Sequence, residues 1–327
     1  MHSFTKTAVA TLAAAALAPA AMAASAYSLT QTYNQTNFFD NFEFFNEPDP
    51  TEGFVQYVAA AEANAKSLAG YSEDAVYLGA DFSVTNPANG RMSTRVTSKQ
   101  AYSNGLIIAD ISHMPYAAGV WPAFWTFGPN WPNSGEIDII EGANLDTTDH
   151  ITLHTGPNCK ITNTGSATTT KLENGDCNTS SGTVGCSQTT TAPIGSEFNK
   201  VGGGVYALDW TSDAIAVYYF ARDAIPEDIT SETPNPSTWG TPVAKFNGGS
   251  GCDIGSVFVN HNIVFNTDFC GEWAGNEWTT IPELTALAAT CKDYVAANPS
   301  AFSEAYWLIN SVKVYSSANK VGRSFIA

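Results

Sequence analysis

The chain has 327 residues, 14 of them basic and 31 acidic, for a formal net charge of −17. Charged residues make up 14% and hydrophobic ones 44%, against a charged share of roughly 25% in ordinary globular proteins. So little charge with so much core material excludes an intrinsically disordered chain, and the acidic balance argues against nucleic acid or an anionic membrane surface as partner, since both need clustered Lys and Arg.

Residues 1–23 read as a secretory signal. Lys6 supplies the positive start, Ala8 to Leu17 a short apolar core, and Ala21-Met22-Ala23 a small-x-small cleavage site, with Ala24-Ser25-Ala26 as the second candidate. No later apolar run approaches the ~20 residues a membrane helix needs. The end of the chain, NKVGRSFIA, has no hydrophobic anchor tail. Residues 24–327 are therefore expected to form one secreted domain, since no Pro- or Ser-rich linker and no internal repeat divides them. Nothing compels a metal, a cofactor or an oligomer, so a monomer without either is expected.

Strand signals then recur, with turn residues between them. Residues 53–58 (GFVQYV) alternate apolar and polar, residues 105–110 (GLIIAD) form a short apolar run, and residues 214–220 (AIAVYYF) are β-branched and aromatic. Residues 262–266 (NIVFN) and 307–315 (WLINSVKVY) follow the same pattern. Residues 158–199 are rich in Thr, Ser, Gly and Asn and hold Cys159, Cys177 and Cys186, which predicts long loops stapled by disulfides. With Cys252, Cys270 and Cys291 the cysteines are six. In an oxidising compartment they pair, in any of 15 connectivities. The sequons at Asn34 and Asn178 are compatible with surface glycosylation. Helical signal is confined to 283–297, ended before Pro299. Many short strands with little helix predict an all-β chain, a two-sheet sandwich of jelly-roll type.

The chemistry concentrates in residues 136–141, Glu-Ile-Asp-Ile-Ile-Glu. On a strand, residues two apart share a face. Glu136 and Asp138 therefore point one way and Ile137 and Ile139 the other. Glu141 falls on the wrong face unless a β-bulge adds one residue, and Ile139-Ile140 is the expected place for it. Glu136 and Glu141 then act as if four positions apart, roughly 13 Å along the strand, a separation that two long side chains leaning together largely close. Three carboxylates on one face repel each other and cost stability, so a purely structural strand has little use for them. A pair of carboxyls facing one cleft suits glycoside hydrolysis, with like-charge coupling leaving one ionised and one protonated.

Trp121-Pro122-Ala123-Phe124-Trp125 followed by Gly135-Glu136-Ile137-Asp138-Ile139-Ile140-Glu141-Gly142 resembles the family-sixteen glycoside hydrolases, in particular the fungal secreted endo-β-1,3(4)-glucanases, or laminarinases. Residues 49–55 (DPTEGFV), 153–155 (LHT), 239–242 (WGTP) and 270–275 (CGEWAG) are similar too, so the likeness runs from about Tyr33 to Tyr315. The resemblance implies a concave sheet forming an open glycan cleft and a retaining double displacement. In it Glu136 is the nucleophile, Glu141 the acid/base and Asp138 the assisting carboxylate. The six-residue, bulged form is that of the laminarinase type, which implies cleavage of β-1,3 linkages, alone or in mixed-linkage glucan.

Flat aromatic rings stack on the apolar faces of sugars. Trp121, Trp125, Trp131 and Trp273 lie in segments matching the family and are the candidates for stacking, whereas Trp210, Trp239 and Trp307 read as core. The family match assigns His154 a sugar contact or help to the acid/base. Arg95, on a strand-like segment, is a candidate to bind a hydroxyl. Glu272 stands where members of the group usually carry Asp. Two alternatives share this framework: a non-catalytic β-glucan lectin, disfavoured by the presence of all three carboxylates, and a cell-wall transglycosylase, in which sugar replaces water as acceptor.

Overall fold

The structure is a computed structural model and describes residues 27–72, 74–180 and 184–317. The expected signal, residues 1–23, lies outside the described residues. Two eight-stranded antiparallel sheets dominate. One sheet runs, in spatial order, through Lys171–Leu172, Cys186–Pro193, Thr148–His154, Glu136–Glu141, Val120–Phe127, His261–Phe269, Arg95–Tyr102 and Phe42–Phe44. The other runs through Ala244–Asn247, Ala214–Ala221, Gly204–Trp210, Gly105–His113, Tyr306–Ser317, Ala75–Gly79 and Ala69–Ser72, with Tyr27–Tyr33 paired to Tyr306–Ser317. The architecture is thus the all-β sandwich that the strand spacing predicts. Among the described residues no helix is long and apolar enough to cross a membrane.

The burial pattern explains why strand Gly105–His113 opens on a continuous apolar run, Leu106 to Ala109. Ile107, Ala109 and Ile111 enter the core between the sheets, beside Leu208, Trp210 and Trp307. Leu106 and Ile108 face the opposite way but are also covered, in a smaller cluster with Val205, Ala216, Ile229 and the half-buried Trp239. A strand buried on both faces needs no polar alternation. Trp210 and Trp307 are core residues, as their strand-like segments suggest.

Two elements differ from expectation. Residues 158–199 are not all loop. Cys186–Pro193 is an eight-residue strand in the carboxylate-bearing sheet, and Gly195–Lys200 is a short helix. In the strand, Cys186, Gln188, Thr190 and Ala192 point inward. Its polar composition hides a period-two pattern that β-branched threonine supports well. The predicted helix at 283–297 is two helices, Pro282–Thr285 and Cys291–Ala297. The break has a cause: the Ala288 carbonyl accepts the Trp278 indole N–H at 2.9 Å, and Thr290 caps a fresh start by accepting the Asp293 N–H at 3.1 Å.

The cysteines pair as Cys159–Cys252, Cys177–Cys186 and Cys270–Cys291. The first bridges 93 positions and ties the edge region of one sheet to the end of the other. Replacing Cys159 and Cys252 by Ala is expected to lower the unfolding free energy by about 4.6 kcal/mol, the loop-closure entropy of such a loop. An unchanged denaturant midpoint would show that sheet packing alone fixes this region.

Candidate active site

Strand Glu136–Glu141 sits in the middle of its sheet, between Val120–Phe127 and Thr148–His154. Gly135 launches it with φ +79, and a Cβ there would meet the Phe258 ring at 2.5 Å, so only glycine fits. Glu136 lies opposite Phe127 and His154, and Asp138 opposite Trp125 and Thr152. The register against Val120–Phe127 then slips: Ile140, not Ile139, pairs with Phe124, and Glu141 pairs with Ala123. Ile139 is the extra residue of a bulge, where the sequence places it. Ile137, Ile139 and Ile140 are all fully buried in the core between the sheets. Glu136 and Glu141 are half-buried, and Asp138 between them is buried.

Each carboxyl is oriented by a neighbour. The Trp131 indole N–H donates to Glu136 Oε2. The Trp121 indole N–H donates to Glu141 Oε1 at 2.9 Å. The Glu141 backbone N–H donates to Asp149 Oδ1, also at 2.9 Å. His154 Nε2 lies 3.2 Å from Asp138 Oδ2, close enough for charge pairing but out of line for a hydrogen bond, so that oxygen has no donor directed at it. The other His154 nitrogen meets Thr179 Oγ1 at 3.1 Å. The histidine thus sits against Asp138, with no direct contact to the Glu141 carboxyl.

Aromatic side chains extend the site along the sheet. Trp125 donates its indole N–H to Asn266 Oδ1 at 2.7 Å. The Arg95 guanidinium lies over the Trp125 ring, 5.0 Å from its centroid, and over Phe45 at 4.5 Å, which holds the cation flat against the aromatic surface. Trp273 sits on the π-helical turn Gly271–Gly275, edge-on to Trp121 at 5.8 Å, and donates to Glu277 Oε1 at 2.7 Å. Trp131 is 51% exposed, so its ring is open to a ligand. Glu272 is exposed, and the turn is held by its backbone: its N–H donates to the Thr51 carbonyl at 2.9 Å, and its carbonyl accepts the Asn276 amide at 2.6 Å.

The electrostatics follow from burial and crowding. Burial raises the Glu136 and Asp138 carboxyls well above the usual carboxylate range. The charge of Asp138 raises Glu136 further, while His154 and the Trp131 N–H oppose the rise. Glu141 is raised as well, by burial and then by the Asp138 charge, against the Trp121 N–H. Such a cluster cannot ionise fully near neutral pH, so at least one member keeps a proton, and the titration belongs to the group as a whole. Glu136, Asp138 and His154 bring three potential ligand atoms within 4.8 Å, but the Trp131 N–H and Thr179 already orient Glu136 and His154 as members of a hydrogen-bonded acidic site.

Other residues of the site carry no motif. Asn266, which orients Trp125 and contacts the Tyr57 hydroxyl at 3.3 Å, lies in a strand the sequence predicts, and an amide on the same face as Val264 is the available signal. The His150 ring packs edge-on against Trp273 at 5.3 Å. Thr179 lies in a turn and Glu277 in the short helical turn that follows Gly271–Gly275, neither marked by periodicity. Asp149 is an acid at period-two spacing with the buried Ile151 and Leu153 of strand Thr148–His154, and that mismatch is the clue to it.

A family model described as the XgeA-like, catalytic GH16 domain matches residues 42–315. A protein of Arthroderma benhamiae named endo-1,3(4)-beta-glucanase is 43% identical over 304 residues, covering 88% of this chain and 65% of its own length. A probable endo-1,3(4)-beta-glucanase of Aspergillus clavatus is 40% identical over 93% of this chain and 49% of its own. The chain thus spans about half to two thirds of the length of these curated relatives. Among solved structures, laminarinase 16A from Phanerochaete chrysosporium, with beta-glucans in donor and acceptor sites, is 40% identical with a TM-score of 0.83, covering 89% of this chain and 99% of its own. An elongating GH family 16 beta-1,3-glucosyltransferase is 42% identical with a TM-score of 0.82, covering 89% of this chain and 100% of its own. With the whole sandwich and its bulged acidic strand inside these matches, the chain belongs to glycoside hydrolase family 16, among the XgeA-like catalytic domains.

Proposed function

We propose that the chain is a secreted, endo-acting β-glucan hydrolase that cleaves β-1,3 linkages, in β-1,3-glucan such as laminarin or in mixed β-1,3/1,4 glucan such as lichenan, with retention of configuration. The observation that carries this is the Ile139 bulge. It brings Glu141 back toward the face of Glu136 and Asp138, and the indoles of Trp131 and Trp121 orient the two glutamates.

The reaction takes two displacements. Glu136, as carboxylate, attacks the anomeric carbon as Glu141 gives its proton to the glycosidic oxygen. The C–O bond to the leaving chain breaks, and a glycosyl ester forms on Glu136. Glu141, now ionised, takes a proton from water, whose oxygen attacks the same carbon from the leaving-group side and releases Glu136. Two inversions give net retention. Asp138 stands beside the nucleophile, so that Glu136 titrates as part of a pair, and His154 lies against Asp138 at 3.2 Å. A neutral glucan explains why the cleft offers rings and amides, with Arg95 the cation laid against its aromatic surface. Three disulfides accord with an oxidising, extracellular setting. In both sequons the Asn Oδ1 accepts the hydroxyl of the third residue, Thr36 or Ser180, which is compatible with glycosylation there.

The test is a product profile on laminarin, lichenan and cellulose. Short oligosaccharides are expected from laminarin and lichenan, with none from cellulose, and release from cellulose alone overturns the linkage assignment. The same profile separates a second reading, glucosyl transfer, which the similarity to the elongating glucosyltransferase favours. Products longer than an added laminari-oligosaccharide, without a matching rise in reducing ends, mark transfer.

A further inference from the structure

The strand beside the acidic one carries a carboxyl that the proposed reaction does not use. Asp149 lies on Thr148–His154, is fully buried, and sits where that strand's register slips between Thr148 and His150. Pairing with the acidic strand runs only from Glu136 opposite His154 to Asp138 opposite Thr152. Past the bulge the ladder stops, and Asp149 Oδ1 takes the Glu141 N–H in place of a backbone carbonyl.

The second oxygen, Oδ2, is buried with no donor directed at it. The neighbouring phenol, Tyr206 from strand Gly204–Trp210 of the opposite sheet, gives its proton to the Pro193 carbonyl at 3.1 Å. A carboxylate here would leave a charged, buried oxygen without a donor, which is costly, and a proton on Oδ2 removes that charge. The other titratable groups around Asp149 are acids as well: Glu141 and Asp138 from the adjacent strand, and Tyr219, whose ring lies 5.1 Å behind that of Tyr206. Burial raises the Asp149 carboxyl well above the usual range, against the Glu141 and His150 N–H groups and Tyr206, with the Glu141 charge adding to the rise.

We propose that Asp149 is a positioning residue held as a neutral carboxylic acid: one oxygen accepts the Glu141 N–H and the other, buried without a donor, carries the proton. Glu141 is thereby fixed from behind without a second negative charge beside it. This rests on Glu141 being the acid/base of the reaction proposed above.

Asparagine has the same acceptor, a donor in place of the acid proton, and no charge. Asp149→Ala is expected to lower kcat on laminarin about 10²-fold with KM nearly unchanged, since a displaced acid/base loses transition-state contact more than ground-state binding. Asp149→Asn is expected to recover at least about tenfold of that loss, with the alkaline limb of its pH–kcat/KM profile where the wild type has it. Two kinetic outcomes overturn the proposal. One is Asp149→Ala at wild-type kcat with only a lower Tm. The other is an alkaline limb moved to lower pH by about half a unit or more in Asp149→Asn, because removing a negative neighbour lowers the pKa of Glu141. Should Asp149→Ala not fold, the infrared difference spectrum of wild type against Asp149→Asn decides. A protonated-carboxyl band present at neutral pH in the wild type alone is expected, and its absence overturns the neutral acid. The band needs no turnover, so it reads Asp149 whatever Glu141 does. Failure of the acid/base assignment itself appears separately, as full activity in Glu141→Ala.

Discussion

Glu136→Ser is expected to lower kcat on laminarin by about 10⁴-fold or more while laminarin still binds. The serine hydroxyl is a poor nucleophile at this position. It is too short to reach the anomeric carbon, and no base stands behind it except Asp138, which His154 and the buried strand hold in place. The binding surface is formed by other residues: Trp125 on Asn266, Trp121 and Trp273 edge to face, and the exposed Trp131. Removing Glu136 frees the Trp131 indole but leaves the rest untouched. Reducing-sugar assays and calorimetric titration on the same preparation check both halves. Turnover at the wild-type rate would remove Glu136 from the mechanism, and loss of binding along with turnover would make it a structural residue.

The second large effect is at Glu141. Its truncation to Ala is expected to cost about 10²–10⁴-fold in kcat, the usual share of a general acid/base, and to leave space in front of the ester on Glu136. Azide needs no proton removed, so it is expected to restore turnover of an activated aryl β-glucan oligosaccharide and to yield the β-glycosyl azide. The sign of the anomeric centre is the decisive readout. A β product requires two inversions and hence the covalent ester, whereas an α product means a single displacement and an inverting enzyme. A rate unmoved by azide would detach Glu141 from the second step.

The two predictions lean on different parts of the molecule. Glu136 and Asp138 stand in strict alternation on one strand, and any reading of residues 136–138 as β puts them on one face. Glu141 needs the bulge. The sequence flags this through parity, since five residues separate it from Glu136, and the register slip at Ile139 supplies the missing position. The tryptophans were also legible as a group, because they lie in segments with a strong family likeness. Which carboxyl each indole serves was not: Trp131 reaches Glu136 across the turn before the strand, and Trp121 reaches Glu141 from the neighbouring strand.

Where the sequence misleads, composition has hidden geometry. Cys186–Pro193 looks like loop because two of its inward positions are Gln188 and Thr190, polar residues buried in this sheet. The Gln188 amide donates to the Lys245 carbonyl at 3.0 Å and accepts the Ser166 hydroxyl at 2.8 Å, so its burial is satisfied by partners far along the chain. The helix of residues 283–297 is split by the Trp278 indole taking the Ala288 carbonyl, a contact no helix-propensity argument contains.

By itself the sequence determined the β class, the all-acidic face of one strand, the need for a bulge, and the pool of aromatic residues that serve a neutral polymer. These are consequences of side-chain period and local chemistry, which a strand displays within a few residues. The tertiary structure decided what depends on pairing between distant segments: the three disulfides, the strand order that sets Glu136–Glu141 between Val120–Phe127 and Thr148–His154, and the contact of Asp149 with the Glu141 backbone. That division has one cause. Local pattern fixes which way a side chain points, but its neighbour across the ladder comes from register and topology, which only the folded sheets define.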